Sequence, residues 1–170
     1  LHIEGYLVQN HSLIWRIAET AKSCGLKISI DLASFNVVES NLSFLKELLQ
    51  KYVDIVFANE EEATALTGKS AEKAVEEIAD MCEISVVKIG KKGSFVRSAG
   101  ETFVIRTSAV DAVDTTGAGD LYASGFLFGL ANGFDLQRCG KIGSLVASKV
   151  VQVVGTKMST ETWNEIKSEI

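Results

Sequence analysis

One short run of small residues, with an aspartate at each end, is the part of this sequence best suited to chemistry. The segment 114–120 reads DTTGAGD and leads directly into an apolar stretch. Small residues let the backbone turn tightly, and a helix that opens there adds the positive end of its dipole. The amides of Gly117, Ala118 and Gly119 are therefore predicted to bind an anion. Asp120 stands where it could take a proton from a hydroxyl attacking a bound phosphoryl group, which indicates phosphoryl transfer.

A purely structural role for the same segment stays open. Glycine turns are common before helices in α/β proteins, and an aspartate in a first turn often serves only as a cap or dipole partner. The spacing excludes two familiar nucleotide loops, since the sequence has no G-x-x-x-x-G-K-[ST] run and no G-x-G-x-x-G run between a strand and a helix. A nucleotide would bind through another kind of loop.

Alternating strands and helices are predicted to position this segment. Strands are expected at 1–8, 27–30, 54–58 and 84–89, with a hairpin over 94–98 and 101–106. Helices are expected from a cap at Ser12 to Gly25, at 42–51, from Asn59 to Gly68, from Ser70, and at 118–132, 136–151 and 160–169. This order predicts an α/β fold with a largely parallel sheet and helices on both faces.

The predicted topology also gathers polar residues at one edge of the sheet. Asn59 ends the third strand, Gly90 ends the fourth, and Asp114 precedes the glycine turn. Ligands in such folds bind at the carboxyl ends of the strands. These loops are therefore predicted to contribute to one site.

Composition favours one α/β domain over residues 1–170. The chain is 46% hydrophobic with a net charge of −5, which argues against nucleic acid as a partner. Cys24, Cys82 and Cys139 form no C-x-x-C pair and only two histidines accompany them, so we expect neither zinc nor disulfides but buried, inert thiols.

The ends of the sequence and its apolar stretches bear on location. The chain opens at Leu1 without methionine, which we interpret as a fragment or a processed product. No basic segment followed by an apolar one marks a secretory signal, and the stretch 121–131 is interrupted by glycines and too short to span a bilayer. We therefore expect a cytoplasmic protein without a membrane partner.

The segment 114–120 with its apolar helix resembles the C-terminal signature of the ribokinase family, the PfkB-type carbohydrate and nucleoside kinases. Three further segments match in the expected order: FANEEEA at 57–63, VVKIGKKG at 86–93 and the closing stretch 140–159. Together they span the chain but correspond to the C-terminal half of such a kinase. The resemblance implies a ribokinase-like fold, here without the N-terminal half and its lid, and ATP-dependent transfer of the γ-phosphate to a primary hydroxyl of a sugar or nucleoside.

The resemblance also implies roles for individual residues. Asp120 would be the catalytic base, with Gly117, Ala118 and Gly119 stabilising the transferring phosphoryl group. Nucleotide contacts would come from Lys88, Gly90, Gly93, Gly119, Ser144 and Asn59. Lys88 stands where the family often has threonine or serine, so a phosphate contact and a solvated surface lysine both stay open.

Two metal sites are implied by the same resemblance. Asn59 and Glu62 match an N-x-x-E motif that lies near magnesium, generally through bound water, while Glu60 and Glu61 are expected on the helix surface. A potassium ion would be held, mostly through backbone carbonyls, by Asp114, Thr116, Val150, Val153, Gly155 and Ser159. The alternatives are structural: Asn59 as a helix cap, Ser144 as a packing residue, and hydrogen bonds of Asp114 in place of an ion.

Three functions stay open at this point. The first is an ATP- and magnesium-dependent kinase for a small sugar or nucleoside, including adenosine in particular, with a homodimer of the full-length protein left open. The second is a nucleotide-binding fragment that is catalytically silent alone, which is what we expect of the isolated chain. The third is an unrelated α/β domain whose glycine turn holds another anion.

Overall fold

The structure is a computed structural model and describes residues 1–108 and 110–170. The chain divides into two compact units, the first comprising residues 1–89 and 95–102, the second residues 90–94 and 103–170. Among the described residues, six strands form one sheet in the order in which they occur along the chain. They are β1 (His2–Glu4), β2 (Ser29–Asp31), β3 (Ile55–Asn59), β4 (Ile84–Lys88), β5 (Ser94–Ser98) and β6 (Glu101–Ile105).

Eight α-helices accompany the strands in the described part of the chain. They are α1 (His11–Ser23), α2 (Phe35–Ser40), α3 (Leu42–Tyr52), α4 (Glu60–Thr67), α5 (Ala71–Ala79), α6 (Ala118–Ala131), α7 (Leu136–Val150) and α8 (Thr160–Glu169). Short 3-10 helices cover Gly5–Gln9 and Gly90–Lys92.

The predicted largely parallel sheet is confirmed. Strands β1 to β4 pair in parallel, with Ile3 opposite Ile30 and Ile30 opposite Val56. Residues 55–58 of β3 are all buried. Because successive strand residues point to opposite faces, this pattern means that both faces of β3 are covered.

The start of the first unit differs from the prediction in two ways. The strand expected over 1–8 ends at Glu4, because its partner β2 ends at Asp31 and offers no further ladder. The first helix is capped by Asn10 rather than Ser12: Asn10 Oδ1 accepts hydrogen bonds from the amide of Leu13 at 3.1 Å and the hydroxyl of Ser12 at 3.0 Å. An amide side chain in the N-cap position satisfies helix donors as well as serine does.

The helix α2 was missed at the sequence level. It is only six residues long, too short for helical periodicity to stand out. Its start is nevertheless marked by Ser34, whose hydroxyl accepts a hydrogen bond from the amide of Val37 at 3.3 Å.

The core of the first unit is aliphatic and lies on the sheet. Its fully buried side chains include Ile14, Ile28, Ile30, Leu48 and Val56. Burial of this kind stabilises the fold by about 1.5–3 kcal/mol for each such side chain relative to exposure. The first unit thereby fixes the carboxyl ends of β2, β3 and β4.

The second unit contains a tightly packed helix pair, α6 and α7. A Cβ atom added at Gly125 would lie 3.0 Å from the Cα of Gly143, and one added at Gly143 would lie 2.8 Å from the carbonyl oxygen of Tyr122. A cluster of apolar side chains continues this packing toward α8 through Val146, Val150 and Ile166. The close contact fixes the first turns of α6, where the segment 114–120, here called the glycine segment, ends.

The cysteines are not uniformly buried, which corrects part of the prediction. Cys139 is buried and Cys82 is half-buried, but Cys24 is exposed; all three are free thiols. Burial raises the pKa of Cys82 to about 12, so this thiol is unreactive at neutral pH. Across residues 1–108 and 110–170 no helix combines the length and apolarity that crossing a bilayer requires.

Candidate functional site

The glycine segment forms the turn that opens α6. Gly117 is the N-cap residue and has a left-handed backbone, with φ 74° and ψ 2°. A Cβ atom at this residue would also lie 2.5 Å from Cγ2 of Thr156. Glycine adopts this conformation without strain, so the residue type follows from the turn that it makes.

The amides of this turn are only partly used within the protein. The Ala118 amide donates to the carbonyl of Thr115 at 3.2 Å, and the Leu121 amide donates to the carbonyl of Gly117 at 2.9 Å. In the described part of the chain no acceptor meets the amides of Gly119 and Asp120, and no side chain caps the helix. The first turn of α6 therefore offers free donors and the positive end of a helix dipole.

Asp120 lies next to these free donors and faces solvent. It is the only acidic residue in the first turn of α6, and it is exposed. Among the described residues its carboxylate has no hydrogen-bond or ion-pair partner. Asp120 is not the N-cap residue of α6, because Gly117 occupies that position, and no side-chain hydrogen bond caps the helix.

Asp114 ties the glycine segment to the loop that precedes α8. Its Oδ1 accepts a hydrogen bond from the amide of Thr116 at 2.9 Å, and its Oδ2 accepts one from the amide of Gly155 at 2.8 Å. These hydrogen bonds, led by the one from the Thr116 amide, lower the pKa of the Asp114 carboxyl. The amides of Val113 and Asp114 both donate to the carbonyl of Val151, which reinforces the same connection.

The residues predicted to surround potassium are thus joined by hydrogen bonds. Both carboxylate oxygens of Asp114 are in use, and the Ser159 hydroxyl caps α8 by accepting from the amide of Thr162 at 3.2 Å. The carbonyl of Val150 accepts from the amide of Val153 at 3.2 Å. Within the described residues no group of three or more His, Cys, Asp or Glu side chains is arranged to hold a metal ion. The hydrogen bonds of Asp114 are those of the structural alternative, and ligation of potassium through backbone carbonyls stays a prediction.

In the first unit, Asn59 and Glu62 form a complete capping box at the start of α4. Asn59 Oδ1 accepts from the Glu62 amide at 2.9 Å, while the backbone and side-chain amides of Asn59 donate to Glu62 at 2.8 Å and 2.7 Å. Only 3% of Glu62 is exposed. Burial is the main cause that raises the pKa of its carboxyl, and the neighbouring Asp31 raises it further.

This arrangement limits what Asn59 and Glu62 can do for a metal. Each carboxylate oxygen of Glu62 already accepts a hydrogen bond from Asn59, so direct ligation would have to disrupt the cap. Contact through bound water fits better, since magnesium keeps several of its waters. Glu60 and Glu61 are exposed, which confirms their predicted place on the helix surface.

Lys88 is not the solvated surface lysine considered in the sequence analysis. It lies at the end of β4, opposite Asn59 in the parallel register, and its Nζ contacts Oδ2 of Asp31 at 2.7 Å. The exposed fractions of these two side chains are only 15% and 8%. The first unit therefore holds a buried ion pair at the carboxyl ends of its strands.

Sequence reasoning gave Asp31 no role in the site. A signal was present, because Asp31 is a charged residue at the end of the short buried strand β2, at the edge where ligands bind in α/β folds. Its Oδ1 also accepts a hydrogen bond from the amide of Ala33 at 3.0 Å. Asp31 thus joins Asn59, Glu62 and Lys88 in one polar cluster.

The loop of Gly90 and Gly93 lies in the second unit. The predicted turn between strands is a 3-10 helix, closed by a hydrogen bond from the amide of Gly93 to the carbonyl of Gly90 at 3.0 Å. Gly93 has φ +106°, and a Cβ atom there would lie 1.8 Å from the carbonyl oxygen of Ile105. Only glycine fits this position, because the backbone of the next strand occupies the place of a side chain.

Ser144 lies on α7, is 7% exposed and lines a cavity of about 630 Å³ within the second unit. The cavity takes its other polar groups from the end of β6 and the exposed side of α7, including Arg106, Thr107, Arg138, Lys141 and Ser148. A cavity of this size is within the range of small-molecule sites. Ser144 is thus a lining residue of this cavity and at the same time a buried residue of α7.

The predicted residues are divided between the two units. The second unit contains the glycine turn, Asp120, Asp114 with its hydrogen bonds, the Gly90–Gly93 loop and Ser144. The first unit contains Asn59, Glu62 and Lys88 together with Asp31.

Comparisons with known proteins point to one family. A family model described as "pfkB family carbohydrate kinase" matches residues 1–163. An uncharacterised sugar kinase from Archaeoglobus fulgidus is 32% identical over 120 residues, which is 70% of this chain and 48% of that protein. A ribokinase from Haemophilus influenzae is 31% identical over 155 residues, which is 87% of this chain and 48% of that protein.

A solved structure agrees with these matches. The crystal structure of adenosine kinase from Sinorhizobium meliloti superimposes with a TM-score of 0.92 and 34% identity, covering 99% of this chain and 54% of that one. The chain therefore spans about half the length of the relatives that it matches.

Proposed function

Since the chain belongs to the pfkB family of carbohydrate kinases, we propose that it carries the nucleotide-binding and phosphoryl-transferring part of an ATP-dependent kinase. The acceptor would be a primary hydroxyl of a sugar or a nucleoside. The observation that carries the proposal is the exposed, unpartnered carboxylate of Asp120 beside the free amides of Gly119 and Asp120 itself. A base and an anion-binding turn are two of the parts that phosphoryl-transfer enzymes use, together with a divalent metal ion.

The roles of the residues follow from this arrangement. The amides at the start of α6 would bind the terminal phosphate and stabilise the charge that it carries during transfer. Asp120 would orient the acceptor hydroxyl for in-line attack and then take its proton. Because a carboxylate is a weak base toward an alcohol, the proton would move late, after the bond to the leaving group has largely broken.

The nucleotide itself would be held by groups of the second unit. The backbone of the Gly90–Gly93 loop leaves room for ribose and phosphates, and the cavity beside Ser144 would receive the base. Magnesium, held near Asn59 and Glu62 through water, would neutralise phosphate charge. The hydrogen bonds of Asp114 would fix the glycine turn, so the proposal includes no potassium ion as a requirement.

The acceptor is a finer proposal. The matched relatives carry different names, a ribokinase and an adenosine kinase among them, so the family alone does not select one. We expect the 170-residue chain by itself to bind nucleotide without transferring phosphate, since the relatives contain about as much sequence again. A silent nucleotide-binding piece is therefore compatible with a kinase function of the longer protein.

Two measurements test the proposal. Calorimetric titration of the full chain with ADP and with ATP, each with and without magnesium, should show binding of both nucleotides. A panel of ribose, fructose and adenosine with a longer protein that contains this chain should show ATP-dependent phosphorylation of one acceptor. Absence of any nucleotide binding would contradict the proposal, and binding without transfer to any acceptor by the longer protein would reduce it to nucleotide binding alone.

A further inference from the structure

A buried hydrogen bond in the second unit joins the first residue of β5, which follows the Gly90–Gly93 loop, to the start of α6. The hydroxyl groups of Ser94 and Tyr122 lie 2.7 Å apart. Ser94 is 0% exposed and Tyr122 is 4% exposed. Burial raises the pKa of the Tyr122 hydroxyl, so this group stays protonated and able to donate. In the described residues every buried side-chain polar atom has a hydrogen-bond partner, and here each hydroxyl is the partner of the other.

The two residues stand next to the proposed nucleotide contacts. Ser94 directly follows Gly93, whose backbone is already pressed against the carbonyl of Ile105. Tyr122 lies two residues after Asp120, in the same opening turns of α6. Residues 90–94 belong to the second unit, whereas residues 95–102 belong to the first. The Gly90–Gly93 loop is thus grouped with α6, and the Ser94–Tyr122 hydrogen bond is a direct side-chain link between them.

Tyr122 is itself held firmly on its other side. A Cβ atom added at Gly143 would lie 2.8 Å from the Tyr122 carbonyl oxygen and 3.2 Å from its ring, so α7 packs directly against this residue. The phenol therefore has little freedom to follow Ser94 if the loop moves. A buried hydroxyl that loses its partner is costly, so the pair favours one separation of the two loops over others.

We propose that Ser94 and Tyr122 are positioning residues, whose hydrogen bond sets the spacing between the Gly90–Gly93 loop and the phosphate-binding turn of α6. The inference rests on the proposed function, because it concerns a nucleotide that contacts both loops. Neither hydroxyl touches the nucleotide; the pair acts by holding both loops ready before the nucleotide binds. Pre-organisation of this kind reduces the cost of ordering on binding and so raises affinity.

The test is a double-mutant cycle on ADP affinity, measured by calorimetry with the full chain. Tyr122→Phe and Ser94→Ala each remove one hydroxyl while keeping the rest of the packing, and both together remove the pair. Each single substitution should weaken ADP binding about fivefold, the equilibrium factor of one hydrogen bond. The double substitution should be no more than about twofold weaker than the worse single one, because the same interaction is already lost.

A matched control separates positioning from general destabilisation. Ser85 on β4 is also a fully buried serine, and its hydroxyl donates to the carbonyl of Val75 at 2.7 Å. Ser85→Ala should lower the melting temperature comparably but leave ADP affinity unchanged.

The outcomes distinguish the inference from the proposed function. The positioning role is wrong, while nucleotide binding stands, if both single substitutions leave ADP affinity within twofold of that of the original chain. It is equally wrong if the two effects multiply in the double variant, or if Ser85→Ala weakens ADP binding as much as they do. If the original chain binds no ADP, the proposed function fails and the inference fails with it.

Discussion

The buried ion pair of Lys88 and Asp31 leads to a specific prediction about the free energy of unfolding. At 2.7 Å the Coulomb attraction of two unit charges is about 6 kcal/mol for an effective dielectric constant near 20, and desolvation of both groups cancels part of it. Replacing Lys88 by methionine keeps most of the apolar volume but leaves a buried carboxylate without its cation. The expected loss in unfolding free energy is about 3 kcal/mol, at the low end for buried pairs because the Ala33 amide still donates to Asp31.

The assay is urea unfolding at neutral pH, with thermal melting as a second measure. A loss of about 3 kcal/mol should lower the melting temperature by roughly 6–12 °C for a chain of this size. Asp31→Asn together with Lys88→Met should recover most of the stability, because no unpaired charge remains. The matched control is Lys27→Met, since Lys27 pairs with Glu83 at the surface, where both side chains are more than half exposed and an ion pair contributes less than about 1 kcal/mol.

The same substitution has an electrostatic consequence for Glu62. Lys88 is one of the groups that lower the pKa of this carboxyl, against burial and Asp31, which raise it. Lys88→Met should therefore raise the pKa of Glu62 further. The reasoning is refuted if Lys88→Met costs no more than Lys27→Met, or if the double substitution is as unstable as the sum of the two single ones.

Three further predictions concern the site and the fold. In a longer, active protein containing this chain, Asp120→Asn should lower turnover at least about 100-fold with little change in ATP affinity; near-normal turnover would contradict its role as the base. Carboxyl NMR titration should find Asp114 below its ordinary pKa of 3.8 and Glu62 above 4.5. Because its pKa is lowered, the Asp114 carboxylate stabilises the fold above pH 3.8, and this contribution is lost as the pH falls through its folded pKa. Because the pKa of Glu62 is raised, the fold loses stability as the pH rises from 4.5 through the folded pKa of Glu62. A measured pKa above 3.8 for Asp114 or below 4.5 for Glu62 would refute that assignment. Ala99 has φ 50° in the turn between β5 and β6, so Ala99→Asn should raise the unfolding free energy by about 0.5 kcal/mol in urea titration, and a decrease would show that the turn is not strained there.

Much of the fold could be predicted because local signals agreed with the tertiary structure. Gly68 ends α4 in a left-handed backbone conformation at the predicted place, and α8 spans Thr160–Glu169 as predicted. The hairpin turn at Ala99 and Gly100 was equally local. The predicted start of the first helix at Ser12 was wrong, because Asn10 and Ser12 are both good caps and only the three-dimensional arrangement decides between them.

The candidate site was predictable only where its chemistry is carried by consecutive residues. The turn at 114–120 places donors and a carboxylate within one helical turn, so its spacing marked it as a candidate site beside the structural alternative. The pair Asp31–Lys88 is separated by 57 positions and becomes visible only when parallel strands bring their carboxyl ends together. Ser94 and Tyr122 lie 28 positions apart, and nothing in their sequence neighbours marks them as partners. Long-range polar pairs that hold the loops in place thus need the fold itself, because the contact that defines each of them does not exist in the sequence.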